Sequence, residues 1–151
     1  KQIRRLSEYE IPVALDLAWR VFSEYESPDY SDEGTEEFRS CLHDEEYLYG
    51  IDYIGAFYDQ KLIGLIGIRT ELEHICFFFV DGQYHRKGVG TKMFDYLLEN
   101  YKGNNITVNS SPYGLGFYKK LGFVPTEEEK TINGIRFTPM IYERKSNGSD
   151  L

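Results

Sequence analysis

The segment His85-Arg86-Lys87-Gly88-Val89-Gly90-Thr91 joins two cations to two glycines spaced one residue apart. Glycine lacks a Cβ, so the backbone around Gly88 and Gly90 can come close to a ligand. An unbroken apolar strand, His74 to Val80, precedes the segment, and Val89, Met93, Leu97 and Tyr101 follow at helical spacing. Unpaired amides at the start of a helix point outward, and the helix dipole favours an anion there. With Arg86 and Lys87 alongside, the guest this chemistry suits is a pyrophosphate. In isolation the two glycines would serve a tight turn equally well; their place between a strand and a helix favours the anion. A dinucleotide fingerprint would need a third glycine, where Met93 stands, and the Gly-Lys-Ser/Thr of a nucleotide-hydrolase loop is absent.

Other reactive side chains are less specific. Cys41 and Cys76 lack the spacing of a disulfide framework or a metal site, and Cys76 lies inside the apolar run as a buried thiol. No metal is expected, and a reducing cytoplasm fits both thiols. Ten carboxylates and a single basic residue, Arg39, fill residues 24–46, interspersed with Tyr25, Tyr30, Phe38 and Tyr47. Such a run is either a solvated helical face or a wall toward which a cation is steered. The net charge of -8 repels phosphate backbones, so nucleic acid is not an expected partner. With 41% hydrophobic and 16% aromatic residues the chain can build a core, and disorder is not expected as its main state. No apolar stretch reaches the ~18 residues of a membrane span, and no signal peptide is visible. The patterns Asn109-Ser110-Ser111 and Asn147-Gly148-Ser149 are therefore read as chance matches to a glycosylation site. The chain starts at Lys1 rather than Met, so a few native residues are expected before it.

The elements that must position these groups follow from periodicity and punctuation. Residues 2–6 read as a strand, and 8–27 as a helix whose regular part starts near Pro12, with Val13, Leu17, Val21 and Tyr25 as its inner face. A loop over 27–32 leads to a second helix over 34–42. Strands at 51–58 and 62–69 flank the short connection Asp59-Gln60-Lys61. The apolar strand 74–80 reads as central, buried on both faces. A helix from about Gly88 to Tyr101, a strand at 106–109 and a helix at 114–121 ended by Gly122 come next. Strands at 123–125 and 137–142 close the chain around Asn133-Gly134, a hairpin turn. No repeat or linker interrupts residues 1–145, which form one domain, and 146–151 read as a frayed tail.

The segment from Val80 to Gly90 resembles the acetyl-coenzyme A signature of the Gcn5-related N-acetyltransferases, Gln/Arg-x-x-Gly-x-Gly/Ala after a valine-containing strand. His85 stands at the Gln/Arg position, a departure that matters little where backbone amides hold the pyrophosphate. Asn109 to Phe123, with its Phe117-Tyr118-Lys119-Lys120-Leu121-Gly122-Phe123, resembles the family's later motif, from a strand end into a helix. With the element order, the likeness covers nearly the whole chain. It is weakest in the N-terminal third, where members of the family vary.

The resemblance implies an α/β (α+β) fold. Its mixed, mostly antiparallel twisted sheet has six to seven strands flanked by about four helices and splays between the fourth and fifth strands. Acetyl-coenzyme A is the implied cosubstrate, with a small-molecule or peptide amine, possibly cationic, as acceptor and a monomer or homodimer as the assembly. The implied mechanism is direct attack by a neutral amine, with no acyl-enzyme, so Cys76 need not act. The coenzyme would meet His85, Arg86, Lys87, Gly88, Val89, Gly90 and Thr91 at the pyrophosphate. Phe78 and Val80 would offer backbone groups to the pantetheine arm, and an amide near Phe79 or Val80 would stabilise the oxyanion. Tyr118 would face the sulfur and protonate the departing thiolate; packing is its plainer role. Asn109 either hydrogen-bonds the pantetheine or Tyr118, or caps its strand. The base is open among His74, Glu73, Glu71, Asp81 and a water chain. Strand alternation puts His74 on one face with Cys76, Phe78 and Val80, where it serves as base or is held by a structural partner. The other reading is a coenzyme A-binding sensor or partner protein that transfers weakly; a purely structural domain without ligand is a third.

Overall fold

Turn chemistry and alternation set the sheet. In the computed structural model, which describes residues 2–144, β2 (Ile51–Tyr58) and β3 (Lys61–Arg69) pair antiparallel. The tail expected over 146–151 lies outside the described residues. Asp59 and Gln60 join the two strands with φ of 49° and 67°, the left-handed pair that a two-residue hairpin requires. β1 (Gln2–Arg5) adds to β2, and β4 (His74–Val80) to β3, both antiparallel. β5 (Asn105–Ser110) then runs parallel to β4. Two later strands finish the row: β6 (Val124–Pro125) and, inserted between it and β5, β8 (Ile135–Glu143). The order is β1-β2-β3-β4-β5-β8-β6, with β7 (Lys130–Ile132) on β8 off this row. The sequence predicts six to seven strands and misses β7, whose three residues are all exposed and carry no alternation. Asn133-Gly134 does turn a hairpin, but between β7 and β8 rather than from 123–125.

Helices cover both faces of the sheet. On one side, α4 (Val89–Asn100) and α5 (Leu115–Leu121) bury Val89, Met93, Phe94, Leu97 and Tyr118 against Ile66, Ile75 and Val108. On the other, α1 (Ile11–Val21) and α2 (Asp32–Leu42) pack Leu17, Ala18, Val21 and Leu42 against Leu65, Phe77 and Phe79. A one-turn helix, α3 (Glu45–Leu48), is capped by the Asp44 side chain and has no counterpart in the sequence reading. Before α1, Ser7 and Glu10 form a capping box, and Pro12 sits in the first turn as expected. The inner face of α1 differs from the reading: Val13 is 57% exposed, while Ala14, Leu17, Ala18 and Val21 are buried. A row of four-residue steps drifts about 40° per step around a helix, so its first member slides off the core.

Three local departures shape the molecule. The helix expected to run regularly to residue 27 widens after Val21 into a π-turn, Phe22–Glu26, where the Ser27 amide donates to the Phe22 carbonyl. The extra residue re-aims Tyr25 and Glu26. Next, the α2 start and the β7–β8 turn meet backbone to backbone at Gly34 and Gly134, where a Cβ on either glycine would strike the other's main chain. Tyr30 Oη donates to the Arg136 carbonyl at 3.1 Å and Arg136 Nη1 to the Asp29 carbonyl at 3.0 Å, fixing that crossing. Finally, Gly67 pairs with Phe77 and Ile68 with Ile75, so Cys76 is an extra, unpaired residue in β4. A bulge bends its strand and reverses alternation beyond it.

The bulge corrects one expectation. Phe78 and Val80 pack on the α4–α5 side, as Ile75 does, whereas Cys76 and Phe77 face the α1–α2 side. His74, next to Ile75, therefore faces away from Phe78 and Val80 rather than with them.

Candidate active site

The opening between β4 and β5 is the centre of the site. Pairing is confined to His74 with Thr107 and Ile75 with Val108. Beyond the bulge at Cys76 the strands diverge, as expected for the fourth and fifth strands. The Asp81 amide donates to the Ile63 carbonyl on β3 at 2.8 Å. Alternation then points the backbone of Phe79 to β3 as well, and that of Phe78 and Val80 into the gap. These are strand-edge groups with no strand beside them. Phe79 keeps its side chain buried against Phe38 and Phe77.

At the wide end of the gap α4 begins. Gly88 is its N-cap, with φ of 82° that favours glycine, and no side chain caps the helix. The first-turn amides of Val89, Gly90 and Thr91 have no partner within the helix, and no acidic residue stands in that turn. Arg86, Lys87, Gly88 and Thr91 are exposed. A Cβ on Gly88 would meet nothing within 4 Å, whereas one on Gly90 would meet Phe117 Cζ at 2.7 Å. A cleft of about 490 Å³ lined by Tyr58, Gln83, Tyr84, Lys87 and Val89 adjoins this end, with Lys87 Nζ 5.9 Å from the centre of the Tyr84 ring. Open amides, adjacent cations and a bare glycine surface are the donor set a pyrophosphate requires.

His85 does something the sequence did not suggest. Its Nε2 donates to the Val80 carbonyl at 2.6 Å, so that nitrogen carries the hydrogen. Nδ1 is then the acceptor for Tyr113 Oη at 3.3 Å. Tyr25, from the π-turn, lies 4.6 Å from the His85 ring and 5.4 Å from Tyr113. These three rings span the mouth of the gap, from the loop after β4 to the loop after β5.

Tyr118 forms one wall. It is 8% exposed on α5, with its ring 5.9 Å from Phe78 and 5.3 Å from Phe123. Burial, then the Glu26 charge, push its phenol well above the ordinary value, so it stays protonated and a donor at any working pH. Asn109 is exposed on the opposite face of β5 from the buried Ile106 and Val108.

The expected base candidates are dispersed. His74, four residues or about 13 Å of strand from Phe78, bonds Thr107 Oγ1 through Nδ1 at 2.8 Å at the closed end of the gap. Burial, then Arg69, lower its pKa. Glu73 lies beside Tyr101 near that end, where the Tyr101 hydroxyl donates to the Asn105 carbonyl at 3.3 Å, and Glu71 lies in the turn before β4. Asp81 is 5% exposed at the other end, where Arg20 Nη1 donates to it at 3.0 Å and the Gln83 amide at 3.0 Å. Burial raises its pKa, but those two hydrogen bonds outweigh burial and leave it below the ordinary value. Sequence reasoning missed both Arg20 and Glu26. Glu26, the last residue of the π-turn, is half-buried, and burial raises its carboxyl to about 7. Its one signal in the sequence was membership in the carboxylate run 24–46.

Comparison with known proteins agrees with this arrangement. Over 95% of its own length and 96% of this chain, a Bacillus subtilis (strain 168) protein named as an acetyltransferase is 28% identical across 153 residues. A Gcn5-related N-acetyltransferase from Rhodopseudomonas palustris superposes with a TM-score of 0.79 at 23% identity, covering 94% of each chain. The PaiA N-acetyltransferase of Thermoplasma acidophilum, solved with coenzyme A, gives 0.70 at 20% identity, covering 94% of this chain and 98% of its own. The family model described as the acetyltransferase (GNAT) domain matches residues 26–144, which hold the gap, the α4 N-terminus and Tyr118 together, and the chain belongs to that family.

Proposed function

We propose that residues 1–145 act as one N-acetyltransferase domain that moves the acetyl group of acetyl-coenzyme A to a primary amine by direct attack. The observation that carries this is the gap between β4 and β5, into which Phe78 and Val80 turn their backbones and against which Tyr118 stands. In this reading the amides of Val89, Gly90 and Thr91, with Arg86, Lys87 and Gly88 beside them, hold the pyrophosphate, as the exposed cap of α4 allows. The Phe78 and Val80 edge binds the pantetheine arm as an added strand would. An amide on that edge stabilises the carbonyl oxygen as it gains charge. Tyr118 donates a proton to the sulfur as the thiolate departs. His85 releases the Val80 carbonyl or shares it. The complex of the PaiA relative with coenzyme A supports this choice of donor. Two free thiols, Cys41 and Cys76, go with a reducing cytoplasm. No helix of the described residues is long and apolar enough to cross a membrane.

The His85 bond to Val80 favours a second reading, a coenzyme A-binding sensor with weak transfer, because it occupies a group the pantetheine arm would use. Thiol release from acetyl-coenzyme A with a panel of a diamine, an aminoglycoside, an amino acid and a lysine peptide separates the two. Turnover with any amine supports transfer, and a thermal shift with acetyl-coenzyme A but no turnover supports the sensor. Absence of both removes each reading.

A further inference from the structure

The Val80 carbonyl is an acceptor on an open strand edge. It points into the gap, where β5 no longer pairs with β4. The His85 ring caps it, with Nε2–H donating at 2.6 Å. That bond fixes the tautomer and leaves Nδ1 bare, and Nδ1 accepts from Tyr113 Oη at 3.3 Å. Val80 ends β4 and Tyr113 lies on the loop after β5, so one half-buried imidazole joins the two sides of the splay. From the π-turn, Tyr25 leans on both rings, 4.6 Å from His85 and 5.4 Å from Tyr113, with its hydroxyl against Gly82. Three segments distant in sequence thus converge at the wide end of the gap.

A pantetheine arm laid along Phe78 and Val80 must pass this point to bring its pyrophosphate to the amides of Val89, Gly90 and Thr91. Its path crosses the line from the Val80 carbonyl through the imidazole to the Tyr113 hydroxyl. Ring and arm cannot both fill that line, and both seek the same carbonyl. We infer that His85 is a latch: in the free protein it stands in for an amide of the pantetheine arm, and coenzyme A binds by swinging the ring off Val80 and parting it from Tyr113. The inference rests on the coenzyme-binding reading above and adds to it a residue that sets the coenzyme affinity.

The exchange is nearly even at Val80, where an amide N–H of the arm replaces the imidazole N–H. An edge carbonyl left bare in a half-buried gap is unfavourable, so the empty site gains from a side chain that covers it. The bond from Tyr113 has no replacement on the arm. Its loss, with that of the packing against Tyr25, opposes coenzyme binding. Apparent affinity then falls with the fraction of molecules already open, and any change that opens the latch raises it.

The latch has two readouts that need no turnover, so its test is independent of the choice between transfer and sensing. The first is the affinity of the full chain for coenzyme A, measured by calorimetry. His85→Ala removes both hydrogen bonds and is expected to lower Kd about 10-fold. Tyr113→Phe removes one hydroxyl from a ring that is 50% exposed, and is expected to lower Kd about 3-fold. The second is the nitrogen-proton magnetic resonance of the imidazole. The sequence holds three histidines, His43, His74 and His85, so His85→Ala identifies the ring by the signal it removes. Coenzyme A is expected to abolish the hydrogen-bonded Nε2 proton of His85. Adenosine 3′,5′-bisphosphate, which lacks the pantetheine arm, leaves that proton in place. Unchanged or weaker coenzyme A binding in both variants overturns the latch, and so does a His85 signal that persists at saturating coenzyme A or disappears with the bisphosphate. No thermal shift with coenzyme A in the wild type or either variant overturns the coenzyme reading itself, and the latch with it.

Discussion

Tyr118 is a phenol kept protonated by its surroundings. Its ring is enclosed by Phe78, Phe117 and Phe123, and burial raises its phenol above the ordinary value. Removing only the hydroxyl leaves that packing intact. Tyr118→Phe is accordingly expected to lower kcat about 100-fold, with the affinity for acetyl-coenzyme A, read by thermal shift, preserved. An unchanged kcat would return the residue to a packing role. Tyr118 was legible because it sits in a motif with fixed neighbours, Phe117 before it and Leu121-Gly122-Phe123 after. Glu26 was not, because a glutamate among ten carboxylates shows no sign of where each points. Its direction comes from one extra residue in a helix, and helical periodicity cannot display a π-turn in advance.

Elements were legible where periodicity is sustained. β2, β4 and α4 fall where their patterns predict, and α4 begins next to the predicted Gly88. The bulge in β4 was not legible, since His74-Ile75-Cys76-Phe77 is apolar on both faces and gives no alternation to break. The predicted face of His74 failed for that reason. At the α4 N-terminus the two glycines make separate demands. A side chain on Gly90 collides with Phe117, so its loss confounds folding with binding. Gly88 faces open space, and a side chain there adds only the cost of its left-handed φ, about 1–2 kcal/mol. Gly88→Ala is expected to keep a thermal shift with acetyl-coenzyme A, and Gly88→Glu to abolish it by setting a negative charge among the amides. A retained shift in Gly88→Glu would place the phosphates elsewhere.

For the whole molecule, buried and paired carboxyls pull stability in opposite directions along the pH scale. The hydrogen bonds from Arg4 and from the Ser7 amide hold Glu10 at about 2, below its ordinary 4.5. Its contribution is present above 4.5 and is lost as pH falls through about 2. Glu26 is raised instead, so its contribution is fully present below 4.5 and is lost as pH rises through about 7. The melting temperature of the free protein is expected to decline between pH 4.5 and about 7, and Glu26→Gln to flatten that slope. An identical slope in the variant would mean that Glu26 titrates normally. The layer order and the splayed pair were legible through the family resemblance that the motifs carry, whereas the place of β8 was not, because nothing in a strand's own residues names its neighbours. That place has a kinetic consequence. β8 follows the other strands in the chain, yet it lies between β5 and β6. During synthesis β5 has an open edge until residues 135–143 emerge, so the cleft's far wall is completed last, from partners distant in sequence. A ribosome-bound chain that already carries its glycine loop thus still lacks a finished enzyme, and its exposed strand edge is where a chaperone or a misplaced neighbour would first attach.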